Sequence, residues 1–246
     1  MSRTRLHIDR PLAANTELTL TGDPARYVGR VLRLGPDDTL TLFDGHGGEY
    51  PATILSLGKN DVTVSVGKHI DREVESPLAI HLLQGISRGD RMDFVVQKAT
   101  ELGVVRMTPV ITDYSVVKLE EKRAQKRLHH WQGIVASACE QSGRNRLPGI
   151  DSPQPLRSWL GENLEAPGTR LILKPGEGNS INSLNGAARK IVLLIGPEGG
   201  FTPEEVLQAT DYAATRISWP EGILRIETAT VVFASLLMSQ MHVEAK

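Results

Sequence analysis

Two different spacings of apolar residues divide the chain. Up to about residue 70, apolar residues form short, partly alternating runs that are separated by clusters of glycine, asparagine and aspartate. A period of two predicts strands, and the clusters predict turns. Strands are predicted at 17–21, 39–43, 52–57 and 62–66, and a short helix at 24–34. This part is expected to be a small β-rich domain.

Residues 71–77 are mostly charged and end in Pro77, and a different pattern begins after them. Apolar strands now alternate with helical periods, which is typical of an α/β fold with a largely parallel sheet. Strands are predicted at 78–83, 104–110, 171–173, 191–195 and 215–218, and helices at 92–102, 120–141, from 202 and at 228–243. The expected domains are 1–72 and 73–246.

A glycine-rich turn follows the apolar run at 191–195. That run is short and unbroken, which predicts a strand buried on both faces. A helix should begin directly after the turn, because Thr202 suits the N-cap, Pro203 the first helical position and Glu205 a capping box. Glycines between a buried strand and a helix let a ligand approach bare backbone, at the strand end where α/β proteins bind ligands.

These glycines could also serve only to make a turn, and taken alone that interpretation is the stronger one. The segment matches neither the G-x-G-x-x-G dinucleotide fingerprint nor the Walker A loop, and Glu198 would repel a phosphate. ATP- or NAD-dependent chemistry is therefore disfavoured. A second segment, 219–229, also follows a short strand and leads into an apolar helix, so the two loops can form one pocket.

Several segments together resemble one enzyme family. Gly-Pro-Glu-Gly-Gly-Phe-Thr at 196–202 and Ile-Leu-Arg-Ile-Glu-Thr-Ala at 223–229 resemble the ribosomal RNA uridine-N3 methyltransferases, knotted enzymes of the SPOUT class. Further similar segments lie at 29–34, 97–103, 138–148 and 179–182. The resemblance implies S-adenosylmethionine as cofactor, N3 of a uridine in the 16S RNA of the small ribosomal subunit as target, and a homodimer. It also implies a trefoil-knotted methyltransferase domain behind a PUA-like β-barrel that helps to dock RNA.

Given this resemblance, the cofactor is expected at the glycine turn, the 219–229 loop and the strand end near 173. The predicted cofactor-binding residues are Leu173, Lys174, Ile195, Gly196, Pro197, Glu198, Gly199, Gly200, Trp219, Ile223, Leu224, Arg225, Thr228 and Ala229. The chain departs from the family at one place. Residues 219–222 read Trp-Pro-Glu-Gly where the family usually has Leu-Gly-x-Arg, which bears on the cofactor contacts of this loop.

Methylation of N3 requires an aligned methyl group, loss of the imide proton and stabilisation of the negative charge on the base. A fixed guanidinium suits that charge, and Arg225 is the first candidate and Arg144 the second. Glu227, Glu101 and Glu140 are candidates for proton removal, without a ranking. An equally good interpretation of Arg225 and Glu227 is a structural ion pair that braces their loop.

Arginines of the first domain form a predicted RNA-binding face. Arg26, Arg30 and Arg33 are spaced i, i+4 and i+7, hence on one side of a helix, and Arg3 and Arg5 extend the patch. In the second domain, RNA contacts are expected from Lys98, Glu101, Glu140, Gln141, Arg144 and Arg146. The alternative for the first-domain arginines and for Lys98 and Glu101 is a solvated charged face. For the other four residues it is a polar helix end followed by a basic loop.

Composition narrows the remaining classes. A formal net charge of −1 means that RNA has to meet a local basic patch. Cys139 is the single cysteine, which excludes an intramolecular disulfide, and no metal site is predicted. No signal peptide or membrane-length apolar run is present, so a cytoplasmic protein is expected. The competing hypothesis is a non-catalytic RNA-binding or ribosome-assembly protein with a degenerate cofactor pocket, which a cofactor titration would separate from the enzyme.

Overall fold

The computed structural model describes residues 4–115, 121–163, 167–181, 189–220 and 222–243, with side chains as far as Ser239. The chain forms two compact units. One comprises residues up to Glu75 together with Cys139–Leu147, and the other comprises the rest. The boundary at residue 72 stays a prediction, and the structure adds to the first unit a segment that the sequence assigns to the second.

The first unit is built on a five-stranded sheet. Its strands are β1 (Arg5–His7), β2 (Thr16–Thr21), β3 (Thr39–Phe43), β4 (Tyr50–Leu57) and β5 (Asp61–Val66), in the order β1-β3-β4-β5-β2. β1 runs parallel to β3 and the other pairs are antiparallel. The four strands predicted in this region are present, whereas β1 was missed because three residues are too few to show a period.

The helix predicted at 24–34 is shorter and irregular. α1 spans Gly22–Arg26, a wider π-helical turn continues it over Tyr27–Val31, and Arg33 has a φ of +55°. The i, i+7 spacing places two residues on one face only in an uninterrupted α-helix. The prediction that Arg33 shares a helical face with Arg26 and Arg30 is therefore wrong, although all three side chains are exposed.

The second unit alternates strands and helices. Its strands are β6 (Ala79–Gly85), β7 (Arg106–Ile111), β8 (Gly149–Ile150), β9 (Gln154–Pro155), β10 (Thr169–Leu173), β11 (Lys190–Ile195) and β12 (Ala214–Ile217). Its helices are α2 (Asp90–Glu101), α3 (Glu121–Ser142, whose last four residues belong to the first unit), α4 (Leu156–Glu162), α5 (Pro203–Asp211) and α6 (Ile226–Val243). α6 begins two residues earlier than predicted; α4, β8 and β9 were not predicted, because they are too short to show a clear period.

All strand pairs of this sheet are parallel, in the order β12-β10-β11-β6-β7-β8, with β9 beside β7. β11 lies between β10 and β6, and Ile191–Ile195 are buried, as the unbroken apolar run predicts. The predicted parallel α/β sheet is confirmed. α6 packs against α2 with Phe233 fully buried. No helix in the described part of the chain is long and apolar enough to cross a membrane.

Candidate active site

Four neighbouring strands of the second unit end at one edge of the sheet. β12, β10, β11 and β6 are adjacent and parallel, so the loops that follow them emerge side by side. These loops carry three of the predicted cofactor-binding groups: Leu173 and Lys174, the glycine turn at 196–200, and the loop that begins at Trp219. Carboxyl ends of parallel strands are where open α/β sheets bind ligands.

The glycine turn is closed by its own backbone. Gly200 N donates to Pro197 O (2.8 Å), and Gly200 has a φ of +73°, which favours glycine. A Cβ atom on Gly196 would lie 2.8 Å from the carbonyl carbon of Gly200, so the turn also needs glycine at its start. Around Gly200 itself, nothing lies within 4 Å of such an atom. The turn is therefore tight on its inside and open on one side.

The predicted capping box is confirmed. Thr202 Oγ1 accepts from Glu205 N (3.2 Å), and Glu205 Oε2 accepts from Thr202 N (2.9 Å). The other carboxylate oxygen, Oε1, accepts from Asp113 N (2.9 Å) in the loop that follows β7. Glu205 is buried, so these bonds fix the end of the glycine turn to its neighbours.

A buried amide connects the strand ends to α6. Gln84 is fully buried, and its Nε2 lies 3.4 Å from both Ile195 O and Gly196 O. Gln84 Oε1 accepts from Thr230 Oγ1 (3.0 Å) on the first turns of α6. Polar groups without water stabilise a structure only when they are paired, so this chain of bonds sets α6 relative to the turn. Neither residue was predicted from the sequence, where the only signal was a lone glutamine in an apolar strand.

Glu198 points at a second loop. Its Oε1 accepts from Arg91 Nη1 (2.8 Å) and from Arg88 N (3.3 Å), both near the start of α2. Desolvation raises the pKa of Glu198, but the backbone hydrogen bonds and Arg91 outweigh it, so the pKa lies below its ordinary value. The Glu198 carboxylate therefore holds α2 to the glycine turn, a role that the sequence did not indicate.

The loop before α6 carries the predicted catalytic arginine. Arg225 is exposed, and its carbonyl accepts from Ala229 N (2.7 Å), the first bond of α6. Glu227 is half-buried in the first turn of that helix. Within the described residues there is no ion pair between Arg225 and Glu227, so the bracing pair that the sequence allowed is not formed. Arg225 is thus available to a ligand.

The other predicted cofactor residues of this region differ in exposure. Ile223 is 83% exposed, Leu224 and Trp219 are half-buried, Thr228 is exposed and Ala229 is buried. Glu221 lies outside the described residues. Lys174 N donates to Ile217 O (2.9 Å), which brings the end of β10 beside the residues that precede Trp219. Among the large apolar side chains that are exposed in the described part of the chain, Ile223 has the highest exposed fraction.

In the first unit, a cleft lies beside two of the predicted RNA-binding arginines. It is lined by α1 and the β4–β5 turn, with Arg26, Arg30 and Lys59 among its residues. Asp23 and Asp61 also line it. Among the described residues, neither Arg26 nor Arg30 forms an ion pair. Arg33 does not line the cleft, and Arg3 lies outside the described residues. Lys59 was missed because nothing in sequence connects it to α1.

Other predicted RNA-binding residues of the first unit are engaged in a network of internal bonds. Arg144 pairs with Glu75, and its side chain is 7% exposed. Arg5 pairs with Glu49 (2.5 Å), which also binds Arg72 (3.2 Å). Arg5 in β1 also donates from Nη2 to Arg144 O (3.4 Å), which attaches Cys139–Leu147 to the sheet of the first unit. The pairing of Arg144 argues against its predicted role in catalysis. If the guanidinium moved away from Glu75 to bind a substrate, the buried Glu75 carboxylate would be left without a partner.

The remaining predicted residues are more open or have weaker partners. Arg146 pairs with Glu73 (2.8 Å), and both side chains are about half exposed. Glu140 Oε1 accepts from His7 N (2.9 Å), and burial raises the pKa of its carboxyl group. Gln141 is exposed. On α2 of the second unit, Lys98 pairs with Glu101 (2.8 Å), so each of these two predictions has the other as its partner.

Comparison with known proteins identifies both units. Residues 74–238 match the model of an RNA methyltransferase domain, and residues 20–67 match that of an RNA methyltransferase PUA domain. The chain is 32% identical over 233 residues to ribosomal RNA small subunit methyltransferase E of Buchnera aphidicola subsp. Schizaphis graminum, covering 95% of this chain and 94% of that protein. The predicted α/β methyltransferase domain, which follows a PUA-like domain in the sequence, is thereby confirmed, whereas the knot stays a prediction.

Two solved structures are similar along nearly their whole length. A methyltransferase of Legionella pneumophila in complex with the cofactor SAM has 35% identity and a TM-score of 0.91, covering 97% of this chain and 98% of that one. Ribosomal RNA small subunit methyltransferase E of Neisseria gonorrhoeae, bound to S-adenosylmethionine, also has 35% identity, with a TM-score of 0.89 and coverage of 96% and 97%. S-adenosylmethionine is therefore the cofactor of the compared enzymes.

Proposed function

The chain belongs to the RNA methyltransferase family, and from that premise we propose that it transfers the methyl group of S-adenosylmethionine to N3 of a uridine in 16S ribosomal RNA. Relatives named for the small ribosomal subunit support the RNA class, and neighbours that hold S-adenosylmethionine support the cofactor. The uridine and its N3 atom rest on the resemblance of the motifs at 196–202 and 223–229.

The observation that carries the proposal is the glycine turn at the carboxyl edge of the sheet. Its open side at Gly200 leaves room for a molecule against bare backbone. Ser87 Oγ, in the loop that follows β6, is buried and has no hydrogen-bond partner among the described residues, so it can bond to a polar group of a bound molecule. The turn, the end of β10 and the loop before α6 would hold the cofactor, which supplies an electrophilic methyl group when bound.

Arg225 is the residue that we assign to charge stabilisation. Loss of the N3 proton spreads negative charge over N3 and the carbonyl oxygens O2 and O4 of the uracil, and an exposed guanidinium at the start of α6 can donate to one of these oxygens. A cationic donor at this place stabilises the charge as it develops. Gln84 and Thr230 contribute indirectly, because they fix the helix that follows Arg225.

Glu227 is our choice for the group that accepts the proton. Glu101 is paired with Lys98, and Glu140 accepts a backbone bond from His7, whereas Glu227 lies two residues after Arg225. The N3 proton would pass to the Glu227 carboxylate, and the electron pair left on N3 would form the bond to the methyl carbon as the methyl–sulfur bond of the cofactor breaks and S-adenosylhomocysteine leaves. A general base of this kind has to reach the proton within hydrogen-bond distance.

RNA docking is assigned to the cleft of the first unit. The cleft contains three cationic side chains, those of Arg26, Arg30 and Lys59. Among the described residues none of them forms an ion pair with a carboxylate, which suits the phosphates of an RNA backbone. We also propose that the protein is a cytoplasmic homodimer. In support of a subunit interface, α6 is apolar nearly all round, yet Val231, Val232 and Leu236 are only partly buried within one chain.

The proposal is tested with purified protein, labelled S-adenosylmethionine and two substrates, isolated small ribosomal subunits and free 16S RNA. Nucleoside mass spectrometry of the product is expected to show 3-methyluridine. Calorimetry on the same preparation measures cofactor binding. Binding of S-adenosylmethionine without methyl transfer to either substrate would favour a non-catalytic RNA-binding protein, and a methylated nucleoside other than 3-methyluridine would overturn the assignment of N3.

A further inference from the structure

Tyr114 follows β7 and lies against the glycine turn. A Cβ atom on Gly199 would be 2.9 Å from Tyr114 Cβ and 3.2 Å from its Cγ, so the two residues pack as closely as a glycine allows. The Tyr114 side chain is nevertheless 49% exposed. One edge of the ring, Cγ and Cδ2, therefore lies against the turn, and about half of the residue stays accessible to solvent.

The backbone that carries Tyr114 is held on both sides. Thr112 N donates to Ser115 Oγ, and Ser115 N donates to Thr112 O, each at 2.9 Å. Asp113 N donates to Glu205 Oε1 (2.9 Å), and Glu205 belongs to the capping box that ends the glycine turn. The base of the Tyr114 side chain is thus fixed relative to the turn, and a tyrosine has few torsions left to order when it binds a partner.

The proposed reaction requires that the target base is held at this edge of the sheet, and an exposed aromatic ring can hold a base. N3 lies on the Watson–Crick edge of uracil, so the base has to leave its stack before N3 can approach the methyl group. Proteins hold splayed-out RNA bases by stacking them on aromatic side chains. We propose that the Tyr114 ring stacks on the extruded uracil and positions it beside the glycine turn, an inference that rests on the proposed function.

The other exposed aromatic side chains do not fit this role. Among the described residues, the other exposed Phe and Tyr side chains are Tyr27 and Phe94. Tyr27 belongs to the first unit, next to the arginine cleft. Phe94 lines a groove between α2 and α3 and has Lys98 above its ring, 5.7 Å from the centroid. Trp219 precedes the loop of Arg225 but is half-buried. Tyr114 combines exposure with contact to the turn.

The test compares Tyr114→Ala, Tyr114→Leu and Tyr114→Phe in the full chain. Loss of one stacked base lowers binding or rate by on the order of 5- to 100-fold. Tyr114→Ala should show such a loss in kcat/KM for small subunits while calorimetry gives the wild-type affinity for S-adenosylmethionine. Tyr114→Phe keeps the ring and should recover the activity, whereas Tyr114→Leu, which keeps apolar surface without a ring, should not.

A second readout does not depend on methyl transfer. Small subunits with 5-bromouridine in their RNA are irradiated with the protein, and the cross-linked peptide is identified by mass spectrometry. A cross-link at Tyr114 is expected. Equal loss of S-adenosylmethionine affinity and activity in Tyr114→Ala would place the ring on the cofactor and overturn the inference, as would full activity of that variant. If the wild-type protein methylates no uridine, the proposed function fails, and the cross-link alone then decides whether Tyr114 stacks on a base.

Discussion

Two segments of the chain each contain an arginine that was predicted from the sequence to be catalytic, and the two arginines differ in burial and in ion pairing. In Cys139–Leu147, Arg144 is buried against Glu75. In the loop before α6, Arg225 is exposed, with no ion-pair partner among the described residues. Both residues are arginines, so the difference in burial and pairing comes from the residues that surround them. A guanidinium paired with a buried carboxylate is committed to the fold, whereas one that is exposed near a ligand-binding edge is available for chemistry.

The largest expected effect concerns the buried pair. Removing one partner of a buried ion pair typically costs about 3–5 kcal/mol, because the other charge is left without a partner. Arg144→Ala should therefore lower the free energy of unfolding strongly, as measured by urea denaturation. Arg146→Ala is the matched control, since its half-exposed pair with Glu73 should contribute at most about 1 kcal/mol. A stable Arg144→Ala protein that has lost methylation would restore Arg144 to the catalytic residues.

Arg225 should show the opposite profile. Arg225→Ala is expected to fold and to bind cofactor, but to lose on the order of a hundred- to a thousand-fold in rate, as when one preorganised donor is removed. Arg225→Lys should recover part of the rate, because it keeps the charge and loses the planar fork. Single-turnover methylation at saturating substrate measures the effect, with Arg216→Ala as a control at an exposed pair on β12. A near-normal rate in Arg225→Ala would remove it from catalysis.

A smaller effect is expected from the exposed cations of the first unit. Replacing Arg26 and Arg30 by Ala should weaken RNA binding and reduce its salt dependence, by a slope of about one per lost phosphate contact. Lys59→Ala should act in the same direction, because Lys59 lines the same cleft. Arg33→Ala is the control, since Arg33 is exposed but outside the cleft. Equal effects from Arg33 and Arg30 would mean that the whole basic surface binds RNA and that the cleft has no special role.

The smallest effect is expected for the ion pair of Arg91 and Glu198, whose exposure lies between that of the buried Arg144 and that of the exposed Arg225. Arg91 and Glu198 are 48% and 31% exposed, so their ion pair should contribute at most about 1 kcal/mol. Arg91→Ala should therefore weaken S-adenosylmethionine binding by no more than about fivefold, measured by calorimetry at low salt. Adding Glu198→Gln should cause little further loss if the two act as a pair. Additive losses would show that Glu198 contacts the cofactor directly.

Much of the fold could be predicted from local signals. The unbroken apolar run at 191–195, the capping box at Thr202 and the alternating strands of the first unit all appear as expected. These features depend on neighbours in sequence, through strand or helix periodicity and hydrogen bonds over three residues. The glycine turn was identified for the same reason.

The contacts that decide the role of each charge could not be predicted, because they join distant residues. Gln84 and Thr230 are 146 positions apart, and Arg144 and Glu75 are 69 apart. Arg26 and Lys59 share a cleft through the packing of α1 on the β4–β5 turn. A single sequence gives residue types and spacing but no long-range partners, so buried and exposed arginines look alike in it.

The proposed reaction is tested in cells by nucleoside mass spectrometry of 16S ribosomal RNA from a strain that lacks this protein. We predict that 3-methyluridine is lost from that RNA, that the wild-type chain restores it, and that Arg225→Ala does not. An unchanged amount of 3-methyluridine in the cells without the protein would show that this chain does not methylate N3 of a uridine in 16S RNA.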